Sequence, residues 1–154
     1  MTDAQDRITA LIKDLDKEIK IVGKADAATV EKIESGLGLS LPDSIKWFLI
    51  EYGVIMMPTY IIYGAGSSEE PACLKLTLGL RASGLPANLV VVENDNDGRI
   101  LCLDTSRTMG DDCPVVGWST GDGKVSDVYP GFYDLLETKL KDTLMGRQAR
   151  VGSS

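Results

Sequence analysis

The residues best placed to do chemistry form one run, Glu93-Asn94-Asp95-Asn96-Asp97-Gly98, followed by Asp104. Counted from Glu93, acids at the first, third, fifth and twelfth positions and glycine at the sixth nearly reproduce a calcium-binding EF-hand loop. An EF-hand, however, begins with Asp, ends with Glu and lies between two helices. Here the two end residues are exchanged and both flanks have the composition of strands. We therefore predict a polar hairpin tip and no metal site.

A second run, Gly117-Trp118-Ser119-Thr120-Gly121-Asp122-Gly123-Lys124, superficially resembles a phosphate-binding loop. Its first glycine lies one residue too early, and Val125 stands where Ser or Thr is needed to bind magnesium. Asp122 would also repel a phosphate. The better interpretation is a glycine-rich connection between two strands, and we predict no cofactor.

Histidine is absent from the sequence. Its absence excludes Ser-His-Asp and Cys-His nucleophiles, histidine acid–base catalysis, and almost every zinc or non-haem iron site. Asp111 and Asp112 could pair with other carboxylates for hydrolysis, but no spacing in the sequence places two carboxylates across a cleft. We predict a binding protein that is not an enzyme.

The negative charge is concentrated in the second half of the chain. Of the net charge of −7, the stretch from Glu93 to Asp134 holds nine acids and three bases, and the remainder holds 14 acids and 13 bases. Such a stretch repels phosphate backbones, so direct nucleic-acid binding is not expected. It either steers a basic protein partner or is a solvated surface that aids solubility. The candidate partner-binding residues, including two aromatic anchors, are Glu93, Asp95, Asp97, Asp111, Asp112, Asp122, Trp118 and Tyr60.

Five helices and five strands are predicted to position these residues. Apolar residues at helical spacing predict helices over about 4–21, 27–35, 42–52, 72–82 and 130–144. Thr2 with Gln5 forms a plausible capping box, and Asp26 can cap the second helix. Extended segments are predicted over about 60–63, 89–93, 99–104, 114–118 and 125–128. The order indicates an α+β fold: N-terminal helices packed on a mostly antiparallel sheet, with a closing C-terminal helix.

The remaining bulk features indicate one domain over residues 1–145 and a disordered tail over 146–154. No apolar run is long enough to cross a bilayer, and the first residues lack a signal-peptide pattern, so a cytoplasmic location is expected. The three cysteines are too far apart for a disulfide framework, and Cys102 is predicted to be a buried, inert thiol. Trp47 is predicted to pack against the sheet. We expect a monomer or a weak dimer.

Two stretches together resemble the SUKH superfamily (Smi/Knr-like), and within it YobK-type bacterial immunity proteins. The first runs from Ile33 to Gly53 and includes Leu41-Pro42-Asp43-Ser44-Ile45-Lys46-Trp47-Phe48-Leu49. The second combines Leu89-Val90-Val91-Val92-Glu93, Cys102-Leu103-Asp104-Thr105 and Cys113-Pro114-Val115-Val116-Gly117-Trp118. The resemblance covers about residues 26–140.

This resemblance implies an α+β fold with a central, mostly antiparallel sheet, and a family without shared catalytic residues. Many bacterial members are antitoxins that bind a toxin, often a secreted nuclease, and others are intracellular interaction modules. We therefore expect an immunity protein that neutralises a toxin by stoichiometric binding, with a basic nuclease domain as partner. The alternative is a regulatory scaffold of the same fold without a toxin partner. The positions matching the family, which we expect to determine the fold, are Pro42, Trp47, Gly53, Asp104, Pro114 and Trp118.

Overall fold

The computed structural model describes residues 2–66, 70–94 and 98–152, with side chains as far as residue 146. Within these ranges the chain forms five α-helices and two antiparallel sheets, which confirms the predicted α+β class. The helices are α1 (Asp3–Asp14), α2 (Ala27–Leu37), α3 (Asp43–Glu51), α4 (Ala72–Arg81) and α5 (Phe132–Gly152). The strands are β1 (Lys20–Val22), β2 (Val54–Met56), β3 (Ile61–Ile62), β4 (Leu89–Asn94), β5 (Arg99–Asp104), β6 (Val115–Ser119) and β7 (Val125–Tyr129).

The first two helices begin where their capping residues predict. Thr2 accepts a hydrogen bond from the Gln5 backbone N–H, and the Gln5 side chain accepts one from Thr2 in return. Asp26 accepts a hydrogen bond from the Thr29 N–H at 2.8 Å. Each cap satisfies backbone donors that the first turn of a helix leaves without partners. Both predicted caps are therefore confirmed.

The segment after α1 differs from the sequence prediction of one helix as far as Ile21. The helix ends at Asp14, and residues Lys20–Val22 form β1, which pairs antiparallel with β2. Ile19 continues the helical spacing of Ile12 and Leu15, so local periodicity alone favoured a longer helix. Instead of the predicted helix, Ile21 forms a strand that pairs with Ile55. A sheet partner distant in sequence here overrides local propensity.

The larger sheet is a meander in the order β4-β5-β6-β7, with helices on both faces. One face packs into the main core with α1, α3 and α5, through residues such as Val90, Leu103 and Val115. The other face packs into a smaller cluster beneath α4. The backbone N–H of Tyr63, just after β3, donates to the Val92 carbonyl at 2.7 Å and links the two sheets.

Trp47, predicted to pack against the sheet, is half-buried against the main core. Its ring stands edge-on to the rings of Tyr52 and Tyr133, with centroid separations of 5.4 and 5.9 Å. Tyr133 belongs to α5, so the indole joins α3 to α5. Edge-to-face packing of this kind adds to the stabilisation from buried apolar area.

The last helix extends beyond its predicted end near Leu144. Its backbone continues to Gly152, through part of the segment predicted as a disordered tail; residues 153 and 154 lie outside the described residues. The apolar stripe ends near Leu144, but Arg, Gln and Ala are good helix formers, and an existing helix propagates readily through them. The end of the apolar stripe therefore does not mark the end of the helix. No helix within the described residues is long and apolar enough to span a membrane.

Candidate interaction surface

The outer edge of β7 is the most accessible strand edge of the larger sheet. β7 is last in the order β4-β5-β6-β7, and no strand within the described residues pairs with its outer side. Val125, Ser126 and Asp127 are exposed. An unpaired edge presents backbone N–H and C=O groups that an extended segment of another protein can bind.

Acidic side chains are distributed along this edge. Asp122 is exposed in the turn before β7, Asp127 lies on the strand, and half-buried Asp111 lies near the strand's other end. Asp111 and the end of β7 are close because Asp112 hydrogen-bonds to the N–H of Phe132, shortly after β7. The fold therefore brings Asp111 near one end of β7 and Asp122 near the other, with Asp127 on the strand between them.

Arg107 fixes the middle of this edge. Its Nη2 lies 2.6 Å from Asp127 Oδ1, and its Nε lies 2.8 Å from Asp104 Oδ2. The hydrogen bond and charge of Arg107 lower the pKa of Asp127. Burial of Asp104 opposes ionisation, but hydrogen bonds from Ser106, Arg107 and Asn88 outweigh it and lower its pKa to about 2. Both carboxylates are therefore ionised at neutral pH.

An apolar groove accompanies the carboxylates. It has a volume of about 410 Å³ and is lined by Pro114, Asp127, Val128, Tyr129 and Pro130. Val128 is the extra residue of a β-bulge opposite Val115 and Val116, which makes the strand locally irregular. Met109, in the neighbouring loop, is 81% exposed. We call Met109, Asp111, Asp122, Asp127 and the groove the β7 surface.

Asp112, one of the predicted partner-binding residues, holds the fold together instead. Its Oδ1 accepts hydrogen bonds from the Ser44 hydroxyl and from the backbone N–H groups of Cys113 and Phe132, at 2.7–3.0 Å. Its Oδ2 accepts from the Tyr133 N–H at 3.3 Å. The carboxylate thus caps the start of α5 and ties it to α3. This prediction is corrected, because Asp112 is occupied within the molecule.

Trp118 is also corrected as a partner contact. Its side chain is 4% exposed and lies in the smaller cluster, where Leu76 and Leu80 of α4 pack. Residues along a strand alternate between the two faces of the sheet, and both faces here are covered by helices. Tyr60 is half-buried and lies against α5, where its hydroxyl approaches Asp142 at 3.4 Å.

Glu93 is fully buried, which corrects its assignment to the surface. Val91 pairs with Cys102 but Glu93 pairs with Leu101, so Val92 is the extra residue of a bulge. Opposed residues in an antiparallel pair share a face, and the bulge therefore turns Glu93 to the face of Leu101, towards α5. There its Oε2 lies 3.2 Å from Lys139 Nζ. Asp95 and Asp97 lie outside the described residues.

The sequence interpretation missed Arg107, Asp127, Met109 and Lys139. Lys139 carried a detectable signal, because it lies within the inward stripe formed by Leu135, Leu136, Leu140 and Thr143. A lysine at such a position predicts a buried acidic partner. Asp127 carried a weaker signal, as an acid in a short terminal strand. Nothing in the sequence marked Met109, whose exposure depends on the conformation of its loop.

Several residues considered for metal binding and catalysis are occupied or buried within the fold. The flanks of the EF-hand-like run are strands, as predicted, and its end residues Glu93 and Asp104 are bound by Lys139 and Arg107. Within the described residues, no group of three or more His, Cys, Asp or Glu side chains is arranged to hold a metal. The thiols of Cys73, Cys102 and Cys113 are buried, and burial raises the pKa of each to about 12. They are therefore poor nucleophiles.

The chain resembles known proteins over most of its length. The family model SUKH_5, described as SMI1-KNR4 cell-wall, matches residues 5–141. A crystal structure of a protein from Pseudomonas syringae pv. tomato has a TM-score of 0.58 and 15% sequence identity. The match covers 73% of this chain and 83% of that one. At this level of identity the structural similarity shows a common fold and carries no information on a partner.

Proposed function

Because this chain belongs to the SUKH (SMI1-KNR4) family, which includes immunity proteins, we propose that it binds and neutralises a cognate bacterial toxin. Binding is stoichiometric and involves no catalysis by this chain. The toxin is a basic protein, with a nuclease domain as the expected class, and the complex forms in the cytoplasm of the cell to be protected. The partner-binding region is the β7 surface.

The observation that supports this proposal most directly is the combination of charge and groove along the edge of β7. Exposed carboxylates attract a basic partner and orient it during approach. The groove and Met109 then provide the apolar area that a stable complex must bury. The open strand edge adds backbone hydrogen bonds that any extended partner segment can form. The carboxylates thus raise the association rate, and the apolar groove lowers the dissociation rate of the complex.

Neutralisation follows from competition for the same basic surface. A nuclease needs lysine and arginine side chains to hold the phosphate backbone of its substrate. Carboxylates form strong, charge-assisted hydrogen bonds with those same side chains. Asp111 and Asp122, together with the net negative charge of the cluster of Asp104, Arg107 and Asp127, therefore act as substitutes for phosphates, and the bound immunity protein blocks access of the nucleic acid.

The test is co-expression with a toxin encoded by the adjacent gene. Wild-type protein is expected to restore growth, and the triple variant D111N/D122N/D127N is expected to protect poorly. The matched control D16N/E31Q/E51Q removes three exposed acids that lie on or next to the first three helices and should protect like wild type. No protection by wild-type protein, together with no complex at moderate salt, would refute the proposal. Equal protection by both triple variants would remove the β7 surface from it.

A further inference from the structure

A small pocket lies between α5 and the turn that joins β2 to β3. It is lined by Pro58, Thr59, Tyr60, Asp142, Thr143 and Gly146, and has a volume of about 80 Å³. Pockets for small-molecule ligands occupy roughly 300–1,000 Å³. This pocket therefore has room for the end of a side chain but not for a nucleotide or a comparable metabolite.

Among the described side chains that line the pocket, Asp142 is the one that carries a negative charge. Lys139 beside it has its Nζ 3.2 Å from Glu93, so these two buried charges offset each other. Asp142 is exposed, and its one hydrogen-bond partner among the described residues is the hydroxyl of Tyr60, at 3.4 Å. Asp142 therefore keeps most of its hydrogen-bonding capacity for a cation that enters from outside.

Tyr60 forms an aromatic wall beside this carboxylate. The Nζ of Lys139 lies 3.9 Å from its ring centroid, so the ring already takes part in one cation–π contact. Burial, together with the charge of Asp142, raises the pKa of the Tyr60 hydroxyl. The hydroxyl is protonated at neutral pH and donates a hydrogen bond to Asp142 at 3.4 Å.

We propose that this pocket receives the guanidinium group of an arginine side chain from a protein partner. A guanidinium is flat, stacks against tyrosine and donates paired hydrogen bonds to a carboxylate. These properties fit a pocket that offers a carboxylate, an aromatic ring and little depth. The inference rests on the proposed function in one respect: both take the bound group to be a side chain of another protein. It adds a second contact point, which shares no lining residue with the β7 surface.

The experiment is a titration of the isotope-labelled protein with Nα-acetyl-arginine-N-methylamide, followed by amide NMR shifts. The citrulline analogue, which has the same shape but no charge, is the matched ligand control. We expect saturable shifts at Thr59, Tyr60, Asp142 and Thr143, with a dissociation constant in the millimolar range. Binding of the citrulline analogue should be weaker by about fivefold or more, because it lacks the charge-assisted hydrogen bonds.

The variant D142N should weaken binding of the arginine analogue by a similar factor, whereas E51Q, which neutralises an exposed acid at the end of α3, should leave it unchanged. Because Asp142 is exposed, D142N is expected to keep the wild-type melting temperature. Equal binding of the arginine and citrulline analogues, equal binding by D142N, or an absence of saturable shifts at the pocket would overturn the inference. The titration contains no toxin, so its result is independent of the co-expression test.

Discussion

Lys139 of α5 and Glu93 of β4 form an ion pair in the interior, with 3.2 Å between Nζ and Oε2. The exposed fractions of the two side chains are 10% and 1%. The bulge at Val92 is what turns Glu93 towards the helix. Two charges removed from water attract each other strongly, but much of that attraction offsets the cost of desolvation. The pair therefore favours one docked position of α5 on the sheet more than it adds to total stability.

Replacing Lys139 by methionine should lower the free energy of unfolding by about 3 kcal/mol, because the Glu93 carboxylate remains buried without its lysine. Urea denaturation measures this loss. The double variant E93L/K139M should recover most of it. The control is K141M, which removes the surface pair of Lys141 with Glu137 and should cost no more than about 1 kcal/mol. A loss for K139M no larger than that for K141M would contradict this prediction.

Replacing Asp112 by alanine should destabilise the protein by about 2 kcal/mol, because the start of α5 loses its cap and Ser44 loses its acceptor. The variant D112N keeps one acceptor oxygen, so it should lose roughly half as much stability. Chemical unfolding gives both values. D111A changes the neighbouring acid and is expected to stay within about 0.5 kcal/mol of wild type. If D111A and D112A proved equally stable, the capping role would be wrong.

The stability contributed by Asp104 should depend on pH in the acid range. Its pKa is about 2 in the folded protein, below its ordinary value of 3.8. The unfolded chain therefore binds a proton at a higher pH than the folded chain does, and stability falls as pH decreases from about 4 to about 2. The contribution is fully present above this window. Urea unfolding of wild type and D104N from neutral pH downwards should show the difference shrinking only below about pH 4. A difference that stays constant to about pH 2 would exclude Asp104 as its source.

Association with the toxin should slow as salt is raised, because salt screens the attraction between exposed charges. At low ionic strength, the variant D111N/D122N/D127N should associate about tenfold more slowly than wild type and respond less to salt. Stopped-flow or surface-binding kinetics measures both quantities, with D16N/E31Q/E51Q as the charge-matched control. An association rate indifferent to salt would show that the acids do not steer the partner.

Met109 should affect the lifetime of the complex rather than its rate of formation. An exposed apolar side chain that becomes buried in an interface is commonly a main source of binding energy. M109A is expected to raise the dissociation rate about tenfold and leave the association rate nearly unchanged. M145A, which truncates another exposed methionine (64% exposed), is the control. Equal dissociation rates for the two variants would place Met109 outside the interface.

The elements formed by local signals were predictable. The hairpin of β4 and β5 combines two β-rich runs with a polar turn, and the caps at Thr2 and Asp26 follow from residue type. Strand β1 was missed because it has three residues and pairs only with β2, more than 30 positions away. Strand β2 also has three residues, and it lies between β1 and the two-residue strand β3. No short window of sequence contains that information.

The acidic character of the candidate surface was predictable from the sequence, but the identity of the residues that form it was not. The excess of acids over residues 93–134 indicated the region around β7, yet Glu93 and Asp112 were counted as surface charges. Glu93 is buried because a single extra residue, Val92, changes the face on which it lies. The Asp112 carboxylate is occupied because the backbone N–H of Phe132, distant in sequence, donates a hydrogen bond to it. Both outcomes depend on register and on long-range contacts, which charge counting does not include.

The meander from β4 to β7 also has a consequence for the order of folding. Its four strands are consecutive along residues 89–129 and pair with their neighbours in sequence. Short loops close at a small entropic cost, so this unit can form early. Completion of the smaller sheet must instead wait for β1 to meet β2, and the hydrogen bond from Tyr63 to Val92 joins that sheet to the meander. We expect pulse-labelled hydrogen exchange to protect the amides of β5 and β6 before those of β1. The acidic half of the molecule would then act as the template on which the N-terminal half assembles.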